Sequence, residues 1–319
     1  MQTVFIIVGL LLLIGIPYEQ YARYKAKKKY PITGDFVDVG GHKLHYVKKG
    51  SGDTATIVFE SGADFGGHVV WKSIQAKLSQ NFTTLSYDRV GILHSQRGDN
   101  PKDVASISDE LHTMLEKLDL PKPYIFVGHS LAGLTLRAFV NKYPEHVVGM
   151  VLLDPTHPDA LEMFSKKIQK MYTSFPPQWL ISILLSLGII RILFTKLIAK
   201  YTVDAIPSEK ENYEEALAYI DKGFQAYAEE FTAWKSLSQE TKGLEFNTIP
   251  VVLLGATKPP LNDKAHIEGL EVMKKVHQKT VESSPNGKYI PVDSAHTIQF
   301  EQPDFVVETV ERFAKEILK

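Results

Sequence analysis

The chain has 319 residues, 44% of them hydrophobic and 23% charged, and its 36 basic and 37 acidic side chains leave a net charge of −1. This near balance argues against a nucleic-acid partner, because binding to phosphates needs a concentrated excess of lysine and arginine. The sequence contains no cysteine, which excludes disulfides, thiolate metal ligands and a cysteine nucleophile.

The N-terminal segment places basic residues directly after apolar ones. Residues 1–18 carry no charged side chain. As a helix they would extend about 27 Å, close to the roughly 30 Å of bilayer hydrocarbon. Basic residues crowd positions 23–29, whereas Glu19 is the acidic residue among the first 30, so the rest of the chain has a net charge of −5. We predict a transmembrane anchor over residues 1–18 and a basic juxtamembrane linker over residues 19–34.

Two other interpretations of this segment stay open. A secretory signal carries its positive charges before the apolar run, whereas here the charges follow the run. A buried core helix is the third interpretation. For an anchor, positive charge on the C-terminal flank favours a cytoplasmic location for everything that follows. We therefore expect a single-pass membrane protein whose main domain lies in the cytoplasm.

The chain then alternates short apolar runs with helix-length segments. Residues 35–39 and 43–47 alternate apolar and polar side chains around two glycines, which predicts a hairpin. Further apolar runs predict strands covered on both faces by helices, at residues 56–59, 82–87, 124–127, 148–153, 250–254 and 288–292. This order predicts an α/β fold with a mostly parallel, doubly wound sheet, built from residues 35–155 and 249–319.

Residues 156–248 interrupt this alternation and are far longer than an ordinary connection. They predict an inserted helical cap with helices over 159–172, 178–200 and 209–236. Residues 179–190 lack charge but are too few to cross a bilayer. They form either a helix packed on the sheet domain or a lid that lines an acyl pocket or touches a membrane. In the second case Arg191, Lys196 and Lys200 would face anionic headgroups.

A serine stands where the run 124–127 ends. Residues 128–133 read Gly-His-Ser-Leu-Ala-Gly, and small residues two positions either side of Ser130 allow a sharp turn from strand to helix. The N–H group after the serine begins a helix, where partial positive charge can hold an oxyanion. Ser130 is therefore a candidate nucleophile.

Three motifs resemble those of the α/β-hydrolase superfamily. Residues 128–133 look like its nucleophile elbow, residues 87–91 look like the motif after its fourth strand, and residues 294–296 resemble its histidine loop. The resemblance extends over roughly residues 35–319. It implies an α/β-hydrolase fold with a cap inserted after the sixth strand, and a serine hydrolase without cofactor.

The resemblance also implies a base and an acid. A histidine can remove the serine proton, and His296 follows the last predicted strand, in the family's order of serine, acid and histidine. The usual acid position after the seventh strand holds Lys258. Asp154, at the end of the sixth strand and 24 residues after Ser130, is the candidate acid. Asp263 stays open as the alternative, and Asp154 could instead cap a helix.

Backbone N–H groups of Leu131 and Ala63 are the expected oxyanion donors, with Gly62 as second choice to Ala63. A plain flexible loop explains the glycines near Ala63 nearly as well. We expect no metal and no cofactor, since the chain lacks H-x-x-x-H, H-E-x-x-H and phosphate-loop patterns.

The sequence thus predicts a membrane-anchored serine hydrolase that cleaves carboxylic esters of hydrophobic acyl groups through an acyl-enzyme. Its expected partners are a small hydrophobic ester and, through the N-terminal segment, a membrane. The same triad would serve amide, thioester or carbon–carbon bond hydrolysis. A non-catalytic ligand-binding or scaffold protein of this fold is the alternative from another class. The oligomeric state stays open.

Overall fold

The computed structural model describes residues 11–195, 209–246, 248–259 and 262–319. The strands are β1 (Asp35–Asp38), β2 (Lys43–Lys49), β3 (Thr56–Glu60), β4 (Thr83–Tyr87), β5 (Tyr124–His129), β6 (Val147–Leu153), β7 (Val251–Ala256) and β8 (Lys288–Val292). The helices are α1 (Ile16–Lys29), α2 (Lys72–Leu78), α3 (Val104–Leu118), α4 (Ala132–Lys142), α5 (Ala160–Met163), α6 (Lys166–Thr173), α7 (Gln178–Ser186), α8 (Ile189–Leu193), α9 (Lys210–Ala218), α10 (Ile220–Glu240), α11 (Lys264–Glu282), α12 (Ile298–Glu301) and α13 (Pro303–Ile317).

The strands form one eight-stranded sheet in the order β1-β2-β4-β3-β5-β6-β7-β8. β1 and β2 form the predicted antiparallel hairpin, and β2 also pairs antiparallel with β4. All the pairings from β4 to β8 are parallel. The predicted fold class, an α/β-hydrolase fold with a cap inserted after the sixth strand, is confirmed.

The central strands are buried on both faces because helices cover each side. On β5, Tyr124 and Phe126 pack with α3 and α4 in one apolar core. Ile125 and Val127 point to the other core, which contains residues of α2 and α13. A strand whose two faces are both apolar reads as a continuous apolar run, which explains why these strands could be predicted.

The helices of the cap are interrupted at points where the sequence predicted continuous helices. The segment predicted as one helix over 178–200 is divided at Gly188, whose φ of +67° ends α7 and starts α8. The segment 159–172 is divided between α5 and α6, and the segment 209–236 is divided at Tyr219 and continues to Glu240. Ile181 and Leu185 of α7 pack against Phe224 of α10, inside the cap.

Helix α1 packs on the cap. Its Glu19 is buried and accepts two hydrogen bonds from Arg191, Nε to Oε2 at 2.8 Å and Nη2 to Oε1 at 2.7 Å. The expectation that Arg191 faces headgroups is therefore wrong, and Lys196 and Lys200 lie outside the described residues. Most of the predicted linker 19–34 is helical and docked through this pair.

The predicted anchor is described only from residue 11 onward, and its first ten residues lie outside the description. Leu11–Gly15 form a π-helical turn that continues into α1. Across the parts of the chain that the structure describes, no helix is both long and apolar enough to cross a membrane.

Candidate active site

Ser130 stands at a sharp turn between β5 and α4. Its φ is +52°, a left-handed conformation that few residues other than glycine adopt. The Ser130 N–H group donates to the Leu153 carbonyl at 3.1 Å, which ties the turn to the neighbouring strand. A Cβ atom at Gly133 would lie 2.2 Å from the Thr156 carbonyl oxygen, so glycine is required there. This strained turn presents the serine at the carboxyl edge of the sheet.

The structure brings Ser130, His296 and Asp154 into one hydrogen-bonded series. The Ser130 Oγ lies 3.0 Å from His296 Nε2. The other ring nitrogen, His296 Nδ1, lies 2.5 Å from Asp154 Oδ2. Because Asp154 follows β6 directly and His296 lies in the loop between β8 and α12, the parallel sheet places both residues at the edge that holds Ser130.

The Asp154 carboxylate is buried and held from two sides. Its Oδ1 accepts the Ala256 N–H at 2.9 Å, which leaves Oδ2 for His296. Burial alone would raise the pKa of Asp154, but the hydrogen bond and charge of His296, together with His277 and the Ala256 N–H, lower that pKa to about 2. Asp154 is therefore ionised at neutral pH and can stabilise a positively charged imidazole.

Asp263, the alternative acid, lies at the beginning of α11. Its Oδ1 accepts the N–H groups of Ala265 at 2.9 Å and His266 at 3.0 Å, and its Oδ2 lies 2.8 Å from His266 Nδ1. Asp263 therefore caps the helix. In the described part of the chain no hydrogen bond joins it to His296.

The expected oxyanion donors flank the serine. Leu131 is the residue before α4, and Ala63 lies in the loop after β3 and lines the same cavity as Ser130. Among the described residues, neither backbone N–H group has a protein acceptor. A Cβ atom at Gly62 would lie 3.0 Å from the Ser130 Cβ, so the absence of a side chain lets this loop approach the serine.

Comparison with known proteins assigns the chain to a family. Residues 57–303 match the family model described as alpha/beta hydrolase fold. The chain belongs to this family. The esterase of Thermogutta terrifontis has a similar structure, with a TM-score of 0.64 and 17% sequence identity, over 90% of this chain and 100% of the esterase. At that identity the likeness shows the α/β-hydrolase fold alone.

Proteins related to this α/β hydrolase in sequence match it over shorter stretches. The uncharacterized protein YbdG of Bacillus subtilis is 26% identical over 159 residues, which are 48% of this chain and 49% of YbdG. The (lyso)-N-acylphosphatidylethanolamine lipase of Mus musculus is 34% identical over 96 residues, 28% of each protein. The chain thus spans about half of the first relative and less of the second.

The α/β hydrolase has a cavity of about 350 Å³ above the serine. Its floor contains Ser130, His296 and Asp154. Its walls are largely apolar side chains of the cap and of α11, namely Phe164, Ile168, Met171, Tyr172, Tyr227, Phe231, Trp234, Leu270 and Met273. The cavity is therefore suited to an apolar group attached to a polar reacting centre.

His129 supports the histidine loop, a role that the sequence did not reveal. Its Nε2 lies 3.0 Å from the His296 carbonyl oxygen, and its Nδ1 lies 3.3 Å from Gln299 Nε2. Burial, and next the proximity of His296, lower the pKa of His129 to about 3. The neutral ring thus donates from Nε2 and accepts at Nδ1, which fixes the backbone of His296.

Arg89 connects the loop after β3 to the cap. Its Nη1 donates to the Ser61 carbonyl at 2.7 Å and its Nη2 to the Gly62 carbonyl at 2.6 Å. The same guanidinium contacts Glu60 of β3 and Glu230 of α10, and all three side chains are buried. The resemblance pointed to Arg89 as part of a motif, but no sequence signal identified Glu230 as its partner.

Asp64 adds a buried carboxyl to the cavity wall. Its Oδ1 accepts the N–H groups of Gly66 and Gly67, both at 2.8 Å. Its Oδ2 is buried with no partner among the described residues. Burial raises the pKa of Asp64 to about 7, although the charge of Arg89 opposes the rise. Asp64 thus adds a carboxyl group with a raised pKa to the cavity that Ser130 also lines.

A second group of histidines lies away from the cavity. Within the described residues, His45, His68 and Asp88 are close enough together to share a metal ion. Each imidazole Nδ1 lies 2.9 Å from one Asp88 oxygen, and the N–H groups of His68 and His94 donate to the same carboxylate. Hydrogen bonds therefore account for the arrangement, which fixes the loop after β4.

Proposed function

We propose that this protein is a serine hydrolase that cleaves carboxylic esters with hydrophobic acyl groups. The observation that supports the proposal most strongly is the series from Ser130 Oγ through His296 to Asp154, at 3.0 Å and 2.5 Å, on the floor of an apolar cavity. The lipase among the relatives acts on an acylated phospholipid by its name, which agrees with an acyl ester substrate.

The proposed reaction has two halves. In the first, His296 Nε2 takes the Ser130 proton while Oγ attacks the ester carbonyl, and Asp154 stabilises the imidazolium. The Leu131 and Ala63 N–H groups bind the oxyanion. His296 then gives its proton to the departing alcohol, which leaves an acyl-serine. In the second half, His296 takes a proton from water while the water oxygen attacks the acyl carbonyl. His296 then returns that proton to the departing Ser130 Oγ, which releases the carboxylic acid and restores the serine hydroxyl.

The walls of the cavity set the proposed preference for acyl groups. Aromatic side chains of α10, including Phe231 and Trp234, line the cavity together with Leu270 and Met273 of α11. Burying one methylene group of an acyl chain here would contribute about 0.8 kcal/mol. Longer chains that still fit should therefore be hydrolysed with a lower KM.

Hydrolysis of a p-nitrophenyl ester series tests this function. The purified full-length protein should hydrolyse the octanoate faster than the acetate, and Ser130→Ala should abolish both activities. Trp234→Ala removes a large side chain from the wall and so enlarges the cavity, which should shift the preference towards longer acyl chains. A folded protein that hydrolyses none of these esters would refute the proposed ester hydrolysis.

We further propose that residues 1–18 anchor the protein in a membrane. Support comes from the absence of charge in this segment and from the basic residues that follow it. Extraction of cell membranes with alkaline carbonate tests the anchor. Full-length protein should stay in the membrane pellet, whereas its release into the supernatant would overturn the proposal.

A further inference from the structure

Two cap helices expose large apolar side chains beside α1. On α7, Trp179 is 65% exposed and Ile183, one turn later, is 47% exposed. On α8, Ile192 and Leu193 are also exposed. Single exposed apolar residues are ordinary, but several on neighbouring helices indicate an interaction surface.

Exposed residues of the π-helical turn that precedes α1 continue this group. Leu13 is 75% exposed and Ile14 is also exposed. A Cβ atom at Gly15 would lie 2.7 Å from the Leu187 carbonyl oxygen, so the π-helical turn touches the turn between α7 and α8. Ile183 and Ile192 lie one helical turn before and after that contact. We call Leu13, Ile14, Trp179, Ile183 and Ile192 the apolar platform.

A buried ion pair holds the two parts of the platform together. The Arg191 guanidinium donates to both oxygens of Glu19, and it also donates to the Leu217 carbonyl at 2.7 Å. The Glu19 and Arg191 side chains are 1% and 7% exposed. A desolvated pair with two-point geometry fixes orientation as well as distance. Helix α1 and the cap therefore present the platform as one rigid surface.

The order of residues along α1 indicates which partner covers the platform. Apolar residues come first, exposed tyrosines follow, and exposed lysines end the helix. The tyrosines are Tyr18, Tyr21 and Tyr24, and the lysines are Lys25, Lys27, Lys28 and Lys29. This is the order of hydrocarbon, interface and anionic headgroups across one leaflet. The ten residues before Leu11 also lack charge. A protein partner would not require this layering.

We propose that the apolar platform docks on the surface of a phospholipid bilayer. The cap then lies against the lipid headgroups, beside the point where the N-terminal segment enters the bilayer. The inference rests on the proposed anchor and adds a second contact to it. Helix α7 packs on α10, which supplies Tyr227, Phe231 and Trp234 to the cavity wall. Docking therefore places the α10 wall of the cavity one helix layer from the lipid.

The absence of cysteine allows a direct test. Three full-length variants, Leu13→Cys, Ile183→Cys and Lys315→Cys, are labelled with an environment-sensitive fluorophore. Each is reconstituted into vesicles of phosphatidylcholine and phosphatidylglycerol with or without a nitroxide-bearing lipid. Lys315 is an exposed residue of α13 and serves as the control. We expect several-fold quenching by the nitroxide lipid at positions 13 and 183, and none at position 315.

Quenching at position 13 without quenching at position 183 would overturn the docking and leave the anchor in place. Quenching at neither position would overturn both, and equal quenching at position 315 would mean that the effect is not specific. Efficient cross-linking of Ile183→Cys to a second copy, with loss of quenching, would assign the platform to self-association and also overturn the proposal. Fluorophosphonate labelling of each variant reports the proposed hydrolase site independently of these outcomes.

Discussion

Arg89 of the core and Glu230 of the cap form a two-point ion pair, with Nε and Oε1 2.8 Å apart and Nη2 and Oε2 2.9 Å apart. The same guanidinium donates to the Gly62 carbonyl, next to the proposed oxyanion donor Ala63. Both side chains of the pair are buried. The position of the cap and the shape of the loop after β3, which we call the oxyanion loop, therefore both depend on the Arg89 guanidinium.

Glu230→Gln should weaken both the attachment of the cap to the core and the support of the oxyanion loop. Breaking a buried pair by removing one charge costs about 3 kcal/mol in the free energy of unfolding. Loss of support for one oxyanion donor should lower kcat about 10-fold, less than the loss of the donor itself. Urea denaturation and an ester assay measure the two effects.

The matched control is Glu229→Gln, because Glu229 is the neighbouring residue and pairs with Arg97 near the surface. Its cost should stay below about 1 kcal/mol. Equal effects of the two variants would contradict the assigned role of Glu230.

Asp154→Asn and Asp263→Asn separate the two candidate acids. Asparagine at 154 keeps the size of the side chain but cannot stabilise a charged His296, so kcat should fall by a factor of about 10⁴. Asparagine at 263 can still cap α11, so activity and stability should stay near those of the wild type. Steady-state kinetics on one ester decide the matter. Loss of turnover in Asp263→Asn alone would show that the acid is misassigned.

Gly62→Ala tests whether the oxyanion loop must lie close to the elbow. The added Cβ would lie 2.8 Å from His129 Nδ1 and 3.0 Å from Ser130 Cβ, so the loop or the serine must shift. We expect turnover to fall by a factor of about 100, comparable with removal of an oxyanion donor. Gly269→Ala is the comparison variant: it adds a methyl group to the same cavity, but among the described residues its Cβ would come within 4 Å of a Phe164 ring carbon alone and not of Ser130 or His129. It lies within α11 and should increase stability by up to about 1 kcal/mol. Unchanged turnover in Gly62→Ala would contradict the proposed geometry.

Asp64→Asn tests the buried carboxyl through the pH dependence of stability. Burial raises the pKa of Asp64 to about 7 in the folded protein, whereas the unfolded chain has a value near 3.9. The folded state therefore retains a proton that the unfolded state releases. The contribution of Asp64 to stability is full below about pH 4 and is lost as the pH rises through about 7.

Asparagine does not titrate, so its advantage over aspartate should grow with pH. Across this window the difference in unfolding free energy should change by up to about 1.4 kcal/mol per pH unit. Chemical denaturation of both proteins from about pH 4 to about pH 8 measures the change. A difference that stays constant over that range would contradict the raised pKa.

Local patterns in the sequence predicted the sheet and the elbow. The strands are buried on both faces and therefore appear as continuous apolar runs, and the small residues around Ser130 are a steric requirement of the turn. Asp154 and His296 could be named because the resemblance to the α/β-hydrolase superfamily implies an acid after the sixth or seventh strand and a histidine after the last strand. These features depend on residues near one another in the chain or on a regular topology.

The ion pairs between core, cap and α1 could not be predicted in this way. Arg89 and Glu230 are 141 residues apart, and Glu19 and Arg191 are 172 residues apart. Nothing in either neighbourhood marks a partner. Arg191 follows an apolar run and therefore suggested a headgroup contact, but a charge that becomes buried needs an opposite charge, and Glu19 supplies it. The breaks within the cap helices were also missed, although Gly188 carried a usable signal.

Covalent labelling of Ser130 tests the central claim most directly. A fluorophosphonate reacts with a serine hydroxyl that a neighbouring base activates, so the full-length protein should be labelled stoichiometrically at Ser130, as mass spectrometry of the modified peptide would establish. Ser165→Ala, a change at the beginning of α6, should label like the wild type, and Ser130→Ala should not label at all. A correctly folded wild type that stays unlabelled, or a Ser130→Ala protein that still reacts, would contradict the account.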